Sequence, residues 1–452
     1  MRRSLAALVL LTMLTAATRA QEAWYREEGP VGCDSLSAVG ADSNRALNDS
    51  SAAALSEAAL ATISCDTTSG VGADSNCAHA DSILPWPQNI QMRLDALLTS
   101  DIFTTSSVGM EVYDLTADSV IYAYNERQLL RPASTMKMIT AVTALDRLGG
   151  DCRFKTELFC TGSVEDSVLH GDLYCRGGMD PLFNNDDMGA LVESLRSLGI
   201  DSIDGYVYAD VSMKDTLPMG EGWCWDDDNP PLTPLLLGGK DRFMPRFIDE
   251  LQTKLQLRGA EYAGSAVTPT EATLLCRRFH TIDQVLTRMM KKSDNLFAEA
   301  MFYNIATATG KPFASAQEVR YVVGSLITKM GLQPRDYYVA DGSGLSLYNY
   351  VSAHLEVEFL KYAYVNRNIY IHLLPALPVA GVDGTLAKRM RGTCAQGVVK
   401  AKTGAVTGVS ALAGYCTAAN GHHLCFAIIN QGLRHTSAGR RFQDGVCEAL
   451  CR

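Results

Sequence analysis

Residues 131–145 constrain the fold more than any other stretch, because they combine a helix start, a core-facing stripe and two reactive side chains. Pro132 suits the first helical position, where its missing N–H costs nothing. Met138, Val142 and Leu145 recur at core-facing spacing, and Gly149-Gly150 supply a stop. Ser134 then falls in the first turn, where unpaired N–H groups and the positive end of the helix dipole favour developing negative charge. Lys137, three residues on, projects from the same face. A serine hydroxyl needs a base to become a nucleophile. A lysine serves if burial or a second cation lowers its pKa. The spacing alone arises about once by chance in a chain of this length, and an exposed Ser and Lys on an ordinary helix account for it equally well. Residues further along must decide.

At 452 residues, with 47% hydrophobic and 20% charged side chains, the chain is globular in composition and long enough for two or three domains. A net charge of -10 without any basic run argues against a nucleic-acid partner. Arg2 and Arg3 precede an apolar run from Leu5 to Ala17, and Thr18-Arg19-Ala20 resembles a signal-peptidase site ahead of Gln21. Residues 1–20 are therefore expected to be a signal peptide, and the mature protein periplasmic or extracellular. That run is too short to cross a bilayer, so no integral membrane span is expected. Thirteen cysteines fit an oxidising compartment. None forms a Cys-x-x-Cys pair and the eight histidines show no metal-ligand spacing, so neither a metal nor another cofactor is expected. Asn420-Gly421 predicts a two-residue hairpin turn that sets Cys416 directly across from Cys425. A disulfide there competes with two packed free thiols. Cys160 and Cys175 are a second, weaker facing pair.

Residues 21–85 are rich in Ala, Ser, Asp, Asn and Gly and carry a short tandem duplication. The segment from Cys33 to Asn44 recurs from Cys65 to Asn76. Two small polar copies cannot bury a core, so a mobile extension is expected rather than a binding module. Leu84-Pro85-Trp86-Pro87 marks the start of the folded part. Beyond it the patterning predicts a helix from 88, two strands within 108–125, and strands over 154–160, 169–176 and 204–211. Helices are predicted over 184–198, 247–257, 281–290, where Thr281 and Gln284 make a capping box, and 296–306. Strands over 397–402, 409–415 and 424–430 and a helix over 438–450 close the chain. This order suits an α+β fold whose antiparallel sheet joins the first and last strands, flanked by helices.

Two further elements complete the chemistry that Ser134 and Lys137 begin. Ser293-Asp294-Asn295 follows the helix carrying Lys291 and Lys292, and Lys402-Thr403-Gly404 ends a predicted strand. The Ser293 hydroxyl can relay a proton to a leaving amine, and the Asn295 amide can hold a peptide carbonyl. A strand edge at Gly404 lets an extended substrate lie alongside, with Lys402 and Thr403 addressing an anionic group. Lys402 also brings a second cation towards Lys137. The backbone N–H groups of Ser134 and Ala405 are the candidate oxyanion hole. Each triplet alone is common. The three in this order resemble the set of penicillin-binding proteins and serine β-lactamases.

The resemblance extends to 341–346, 377–386 and 409–415, and to Gly171-Asp172-Leu173-Tyr174, Asp180-Pro181 and 222–227. With these, the chain from about residue 88 onward is similar to the D-alanyl-D-alanine carboxypeptidase/endopeptidase family, the class C low-molecular-mass penicillin-binding proteins. Leu347, Ala405 and Met179 depart from it, standing where the family usually has Arg, Thr and Gly. The resemblance implies a penicillin-binding/β-lactamase-like transpeptidase fold, with the peptidase domain at 86–149 and 266–452. A smaller β-rich domain is inserted at 150–265, shorter than in the larger members, which implies one inserted subdomain fewer. It further implies an exported serine peptidase, inhibited by β-lactams, that trims peptidoglycan stem peptides through an acyl-enzyme on Ser134, as carboxypeptidase, endopeptidase or both. Ser134, Lys137 and Ser293 are the expected catalytic residues, and Asn295, Lys402, Thr403 and Gly404 the substrate-binding ones. A non-catalytic cell-wall scaffold and a true serine β-lactamase are the competing readings. The second needs an additional base for deacylation, and no Glu-x-x-Leu-Asn follows Asn295 where one is expected. Glu299 and the 341–344 turn are expected to be structural.

Overall fold

The first and last strands of the folded part lie side by side in one antiparallel sheet, as the patterning predicts. The computed structural model describes residues 84–254 and 260–452. The expected signal peptide and nearly all of the duplicated extension lie outside the described residues. Helices α1 (Gln88–Leu97) and α2 (Ile102–Thr105) lead into the hairpin β1 (Ser107–Asp114) and β2 (Ser119–Tyr124). A 3-10 turn, Ala133–Thr135, opens α3 (Met136–Leu148). Next come β3 (Arg153–Cys160), β4 (Ser163–Glu165), β5 (Val168–His170), β6 (Leu173–Gly177), α4 (Asn185–Ser197), β7 (Ser202–Asp204) and β8 (Tyr206–Asp210). After these lie α5 (Phe243–Lys254), β9 (Glu261–Ser265) and β10 (Thr273–Thr281). A helical stretch follows: α6 (Ile282–Lys292), α7 (Asn295–Thr307), α8 (Ala316–Lys329), α9 (Ala353–Val365) and α10 (Arg367–Ala376). The chain ends with β11 (Lys400–Val406), β12 (Val409–Thr417), β13 (His423–Gln431) and α11 (Thr436–Cys451). Among the described residues no helix is long and apolar enough to cross a membrane.

The main sheet runs β11-β12-β13-β1-β2 and is covered on both faces. Successive residues of β13 point to opposite sides: Cys425, Ala427 and Ile429 join the core with α3 and α7, while Leu424, Phe426 and Ile428 join the one with α1 and α11. Burial on both faces explains why this strand reads as an unbroken apolar run rather than an alternating one.

Helix α3 is the most enclosed element. Every residue from Met136 to Leu145 is buried, because the sheet side and α7, α8, α9 and α10 all pack on it. The sequence predicts one core-facing stripe, and the structure buries the polar side as well. That side is tolerated because its groups are paired. Thr140 donates to the Gly342 carbonyl at 2.8 Å and Thr143 to the Ile139 carbonyl at 2.8 Å.

A second sheet, β10-β3-β6-β8-β9, forms its own core with α4 and α5 through Met188, Leu191, Leu195, Phe243 and Phe247. Its ends are tied to the elements of the main core. Strand β3 follows α3 directly, and β10 runs into α6. Thr281 is the last residue of that strand and the cap of that helix: it accepts from Gln284 N–H, and the Gln284 side chain accepts from Thr281 N–H at 2.9 Å. The capping box is therefore where the sequence predicts it.

Several expectations change. Strand β11 starts at Lys400 and continues to Val406, so Lys402-Thr403-Gly404 lies within an edge strand rather than at its end. Helices α8, α9 and α10 go unread in the sequence. The C-terminal hairpin has three loop residues, 419–421, not two. Ala418 N–H donates to His422 O at 2.9 Å, Thr417 pairs with His423, and Gly421 sits at φ 87°. This one-residue shift sends Cys416 opposite Leu424 and Cys425 opposite Tyr415, onto opposite faces of the sheet, so the proposed disulfide has no geometry to form. Cys160 pairs with Leu173 and Cys175 with Leu158, so these two are diagonal neighbours, not a facing pair. All four are free thiols.

Candidate active site

The 3-10 turn holds Ser134 half-buried at the mouth of α3, one position after Ala133 at φ 49°. A non-glycine residue in this left-handed region is strained, and the surroundings hold it there. Gly344, itself at φ 80°, lies against the Ala133 carbonyl so closely that an added Cβ would stand 1.8 Å from that oxygen. Beneath the turn, Thr135 Oγ1 sits between the Pro132 carbonyl, at 2.8 Å, and Glu356 Oε1. One hydroxyl proton cannot serve two acceptors. Burial resolves the conflict by raising the Glu356 carboxyl to about 8, which leaves it protonated at neutral pH and able to donate to Thr135.

Lys137 is fully buried, and its Nζ has three neighbours: Ser134 Oγ at 2.9 Å, Asn295 Oδ1 at 2.8 Å and the Ser343 carbonyl at 2.7 Å. Burial lowers its pKa to about 8, against the opposing pull of the Asp341, Glu299 and Asp294 carboxylates. A neutral amine has two N–H bonds and one lone pair. Asn295 Oδ1 and the Ser343 carbonyl only accept, so the lone pair falls towards the Ser134 hydroxyl. That is the arrangement by which a lysine takes a proton from serine.

The other expected residues converge here. Ser293 ends α6 in the left-handed region at φ 58°, which turns its hydroxyl to Lys402 Nζ at 2.8 Å. Asn295, the first residue of α7, gives its oxygen to Lys137, leaving its amide N–H groups for the cleft. Lys402 is buried and also donates to the Thr403 carbonyl at 2.6 Å. Burial first, and the neighbouring Lys137 second, hold its pKa well below the ordinary lysine range. Burial is thus the cause that lowers both lysines, and the second-cation effect expected at Lys137 falls on Lys402.

Strand β11 supplies the wall. Ala401 N–H donates to the Pro378 carbonyl at 3.0 Å and Ala380 N–H to the Val399 carbonyl at 2.9 Å, so the odd-numbered residues turn their peptide groups to the outer edge. By the two-residue period, Thr403 and Ala405 direct theirs outward as well, into the cleft. Gly404 packs against the Ser134 turn, where an added Cβ would meet Pro132 O at 2.7 Å and Ser134 N at 3.2 Å. The Thr403 hydroxyl donates to that of Thr385 at 2.8 Å.

Behind these groups, the 341–346 turn is braced from within. Asp341 accepts from Gly344 N–H at 2.8 Å, Ser346 N–H at 2.7 Å, Asn349 Nδ2 at 2.7 Å and Trp223 Nε1 at 2.8 Å. Glu299 accepts from Ser343 N–H at 2.8 Å. Both acids hold the carbonyl that Lys137 uses, a structural role. The Ser343 carbonyl, Thr385 and Glu356 are contributors that sequence reasoning missed. Backbone carbonyls leave no signature, but a carboxylate four residues after the Ser352 helix cap was open to inspection.

The family model of the D-Ala-D-Ala carboxypeptidase 3 (S13) family matches residues 90–236 and 244–451. The chain belongs to the S13 family. Among its S13 relatives, the D-alanyl-D-alanine carboxypeptidase DacB of Haemophilus influenzae is 27% identical over 73% of this chain and 86% of its own length. The D-alanyl-D-alanine carboxypeptidase of an Actinomadura species is 27% identical over 75% and 80%. The crystal structure of penicillin binding protein 4 from Haemophilus influenzae superposes with a TM-score of 0.69 at 24% identity, covering 79% of this chain and 98% of that one. The fold is therefore the penicillin-binding one, and the chain is a peptidase of the S13 family. Of the departures from the family pattern, Met179 adopts φ 55°, the backbone state that a glycine takes without cost.

Proposed function

We propose that the protein is an exported serine-type D-Ala-D-Ala carboxypeptidase and/or endopeptidase that acts on stem peptides through an acyl-enzyme on Ser134. The observation that carries this reading is the Lys137 lone pair, directed at Ser134 by two neighbours that only accept. In the reaction, neutral Lys137 takes the Ser134 proton as Oγ attacks the penultimate carbonyl. The Ser134 and Ala405 N–H groups hold the oxyanion. The substrate lies along the outer edge of β11, its carboxylate near Lys402 and Thr403, and one of its carbonyls on the Asn295 amide. Ser293, with Lys137, returns the proton to departing D-Ala, and water releases the acyl group. Cutting a cross-link uses the same steps with a larger leaving amine.

Export is supported by the N-terminal charge and apolar pattern and by the cysteine content. Inhibition by β-lactams is supported by the shared fold and by a β-lactam complex of the Haemophilus influenzae penicillin binding protein 4. We also take 150–265 to be a domain inserted into the peptidase domain of 86–149 and 266–452, with β10 lending it an edge strand. The test is labelled penicillin. Wild-type protein is expected to take up one label and Ser134→Ala none, with loss of D-Ala release from a stem pentapeptide. Labelling of Ser134→Ala would refute the assignment.

A further inference from the structure

On the sheet side of α9, away from the cleft, β1 turns Gly109, Glu111 and Tyr113 towards the helix, as the two-residue period requires. The three meet Ala353, His354 and Lys361: a Cβ on Gly109 would lie 3.9 Å from Ala353 Cβ, Glu111 Oε2 is 2.8 Å from His354 Nδ1, and Lys361 Nζ is 4.0 Å from the Tyr113 ring. His354 and Glu358 are four apart on α9 and share one face. One ligand-type atom from each of Glu111, His354 and Glu358 lies within 4.8 Å of the others.

A second observation points to a missing partner. Glu111 is 1% exposed, and its Oε1 is buried without a hydrogen bond. A carboxylate oxygen in that state is costly, because burial removes its water and nothing replaces it. His354 occupies only the other oxygen. The side chains of His354 and Glu358 are 13% and 18% exposed, so an ion has a way in from solvent.

We propose that Glu111, His354 and Glu358 form a binding site for a divalent cation of the Zn2+ class. Two carboxylates balance its charge, and one imidazole favours Zn2+ over Mg2+ or Ca2+, which take oxygen ligands throughout. Bond lengths of about 2.0–2.2 Å require the cluster to contract. Glu111 is fixed in a central strand, so His354 and Glu358 make that movement from the solvent side. The cation displaces the Lys361 ammonium, now 2.7 Å from Glu358 Oε1, and the imidazole takes the tautomer that carries its proton on Nε2, so that the Nδ1 lone pair, now facing Glu111, can bind. Bound there, it clamps α9 to β1 and so stiffens the helix whose Glu356 supports the Ser134 turn. This departs from the sequence-based expectation of no metal. His-x-x-x-Glu is unremarkable without the strand residue that completes it.

The full chain, dialysed against a chelator, is titrated with Zn2+ alone by calorimetry, and its thermal unfolding is followed with and without one equivalent. The wild type is expected to bind one Zn2+ more tightly, by at least about ten-fold, than either Glu358→Gln or His354→Gln, and to gain thermal stability that both variants lack. Glu111→Gln is expected to behave likewise. Should it fail to fold, the two variants on α9 decide alone. Equal stoichiometry and affinity in the wild type and both α9 variants would overturn the proposal, since any Zn2+ then bound sits elsewhere, for instance on thiols.

Discussion

Lys402 donates to Ser293 across 2.8 Å, and among the described residues no carboxylate pairs with its ammonium. A buried ammonium held by a hydroxyl and a carbonyl is easily neutralised, so Lys402 carries little charge at neutral pH, whereas Lys137, with a pKa of about 8, stays largely protonated there. In the proposed reaction an incoming carboxylate restores the charge of Lys402, whose contact holds the Ser293 hydroxyl that relays the proton to the leaving group.

The proposed acylation depends on neutral Lys137, whose pKa burial lowers to about 8. Below that value the amine is protonated and cannot accept the serine proton. The rate of penicillin labelling is therefore expected to rise with pH through about 8 and to level off above it. Stopped-time labelling across this range checks the point, and a flat profile would remove Lys137 as the base.

Gly344→Ala places a methyl group against the Ala133 carbonyl, in a backbone state that disfavours any side chain. The turn carrying Ser134 must shift to admit it. A displacement on the scale of an ångström is expected to lower the second-order acylation rate by roughly 10²-fold. Labelling kinetics read the loss, with circular dichroism to show that the fold is retained.

Trp223→Phe removes the indole N–H that reaches Asp341 from the 222–227 segment. A hydrogen bond to a buried carboxylate contributes about 1.5–3 kcal/mol. Urea unfolding is expected to show a loss of that size, and a change near zero would show that solvent replaces the indole.

Glu356 has its folded-state pKa raised from 4.5 to about 8. The folded protein then holds a proton that the unfolded chain releases, so this carboxyl's contribution to stability is present below 4.5 and lost as pH rises towards 8. Glu356→Gln stays neutral at every pH. Its stability relative to wild type is expected to improve steadily over that interval, as thermal unfolding at several pH values would show.

Much of this was legible in local patterns. The Ser134–Lys137 helix start, the Thr281 capping box and the meeting of first and last strands depend on neighbouring residues or on strong periodicity. What escaped was set by partners distant in sequence. The two-residue turn expected at Asn420-Gly421 gave way to a three-residue loop, because that register sets Cys425 with one core and Cys416 with the other. Strand β11 outran its pattern because Thr403 and Ala405 face a cleft, where apolar alternation has no reason to persist. Helix α9 is buried along most of its length and so shows no clean amphipathic stripe.

The enclosure of α3 has an evolutionary corollary. Almost any change of volume along Met136–Leu145 disturbs a tightly filled interior, so drift in ligand preference has to accumulate at the rim, where Thr385 and Ala405 are open to solvent. Homologues that escape one antibiotic while still processing their natural peptide should differ first at those two positions.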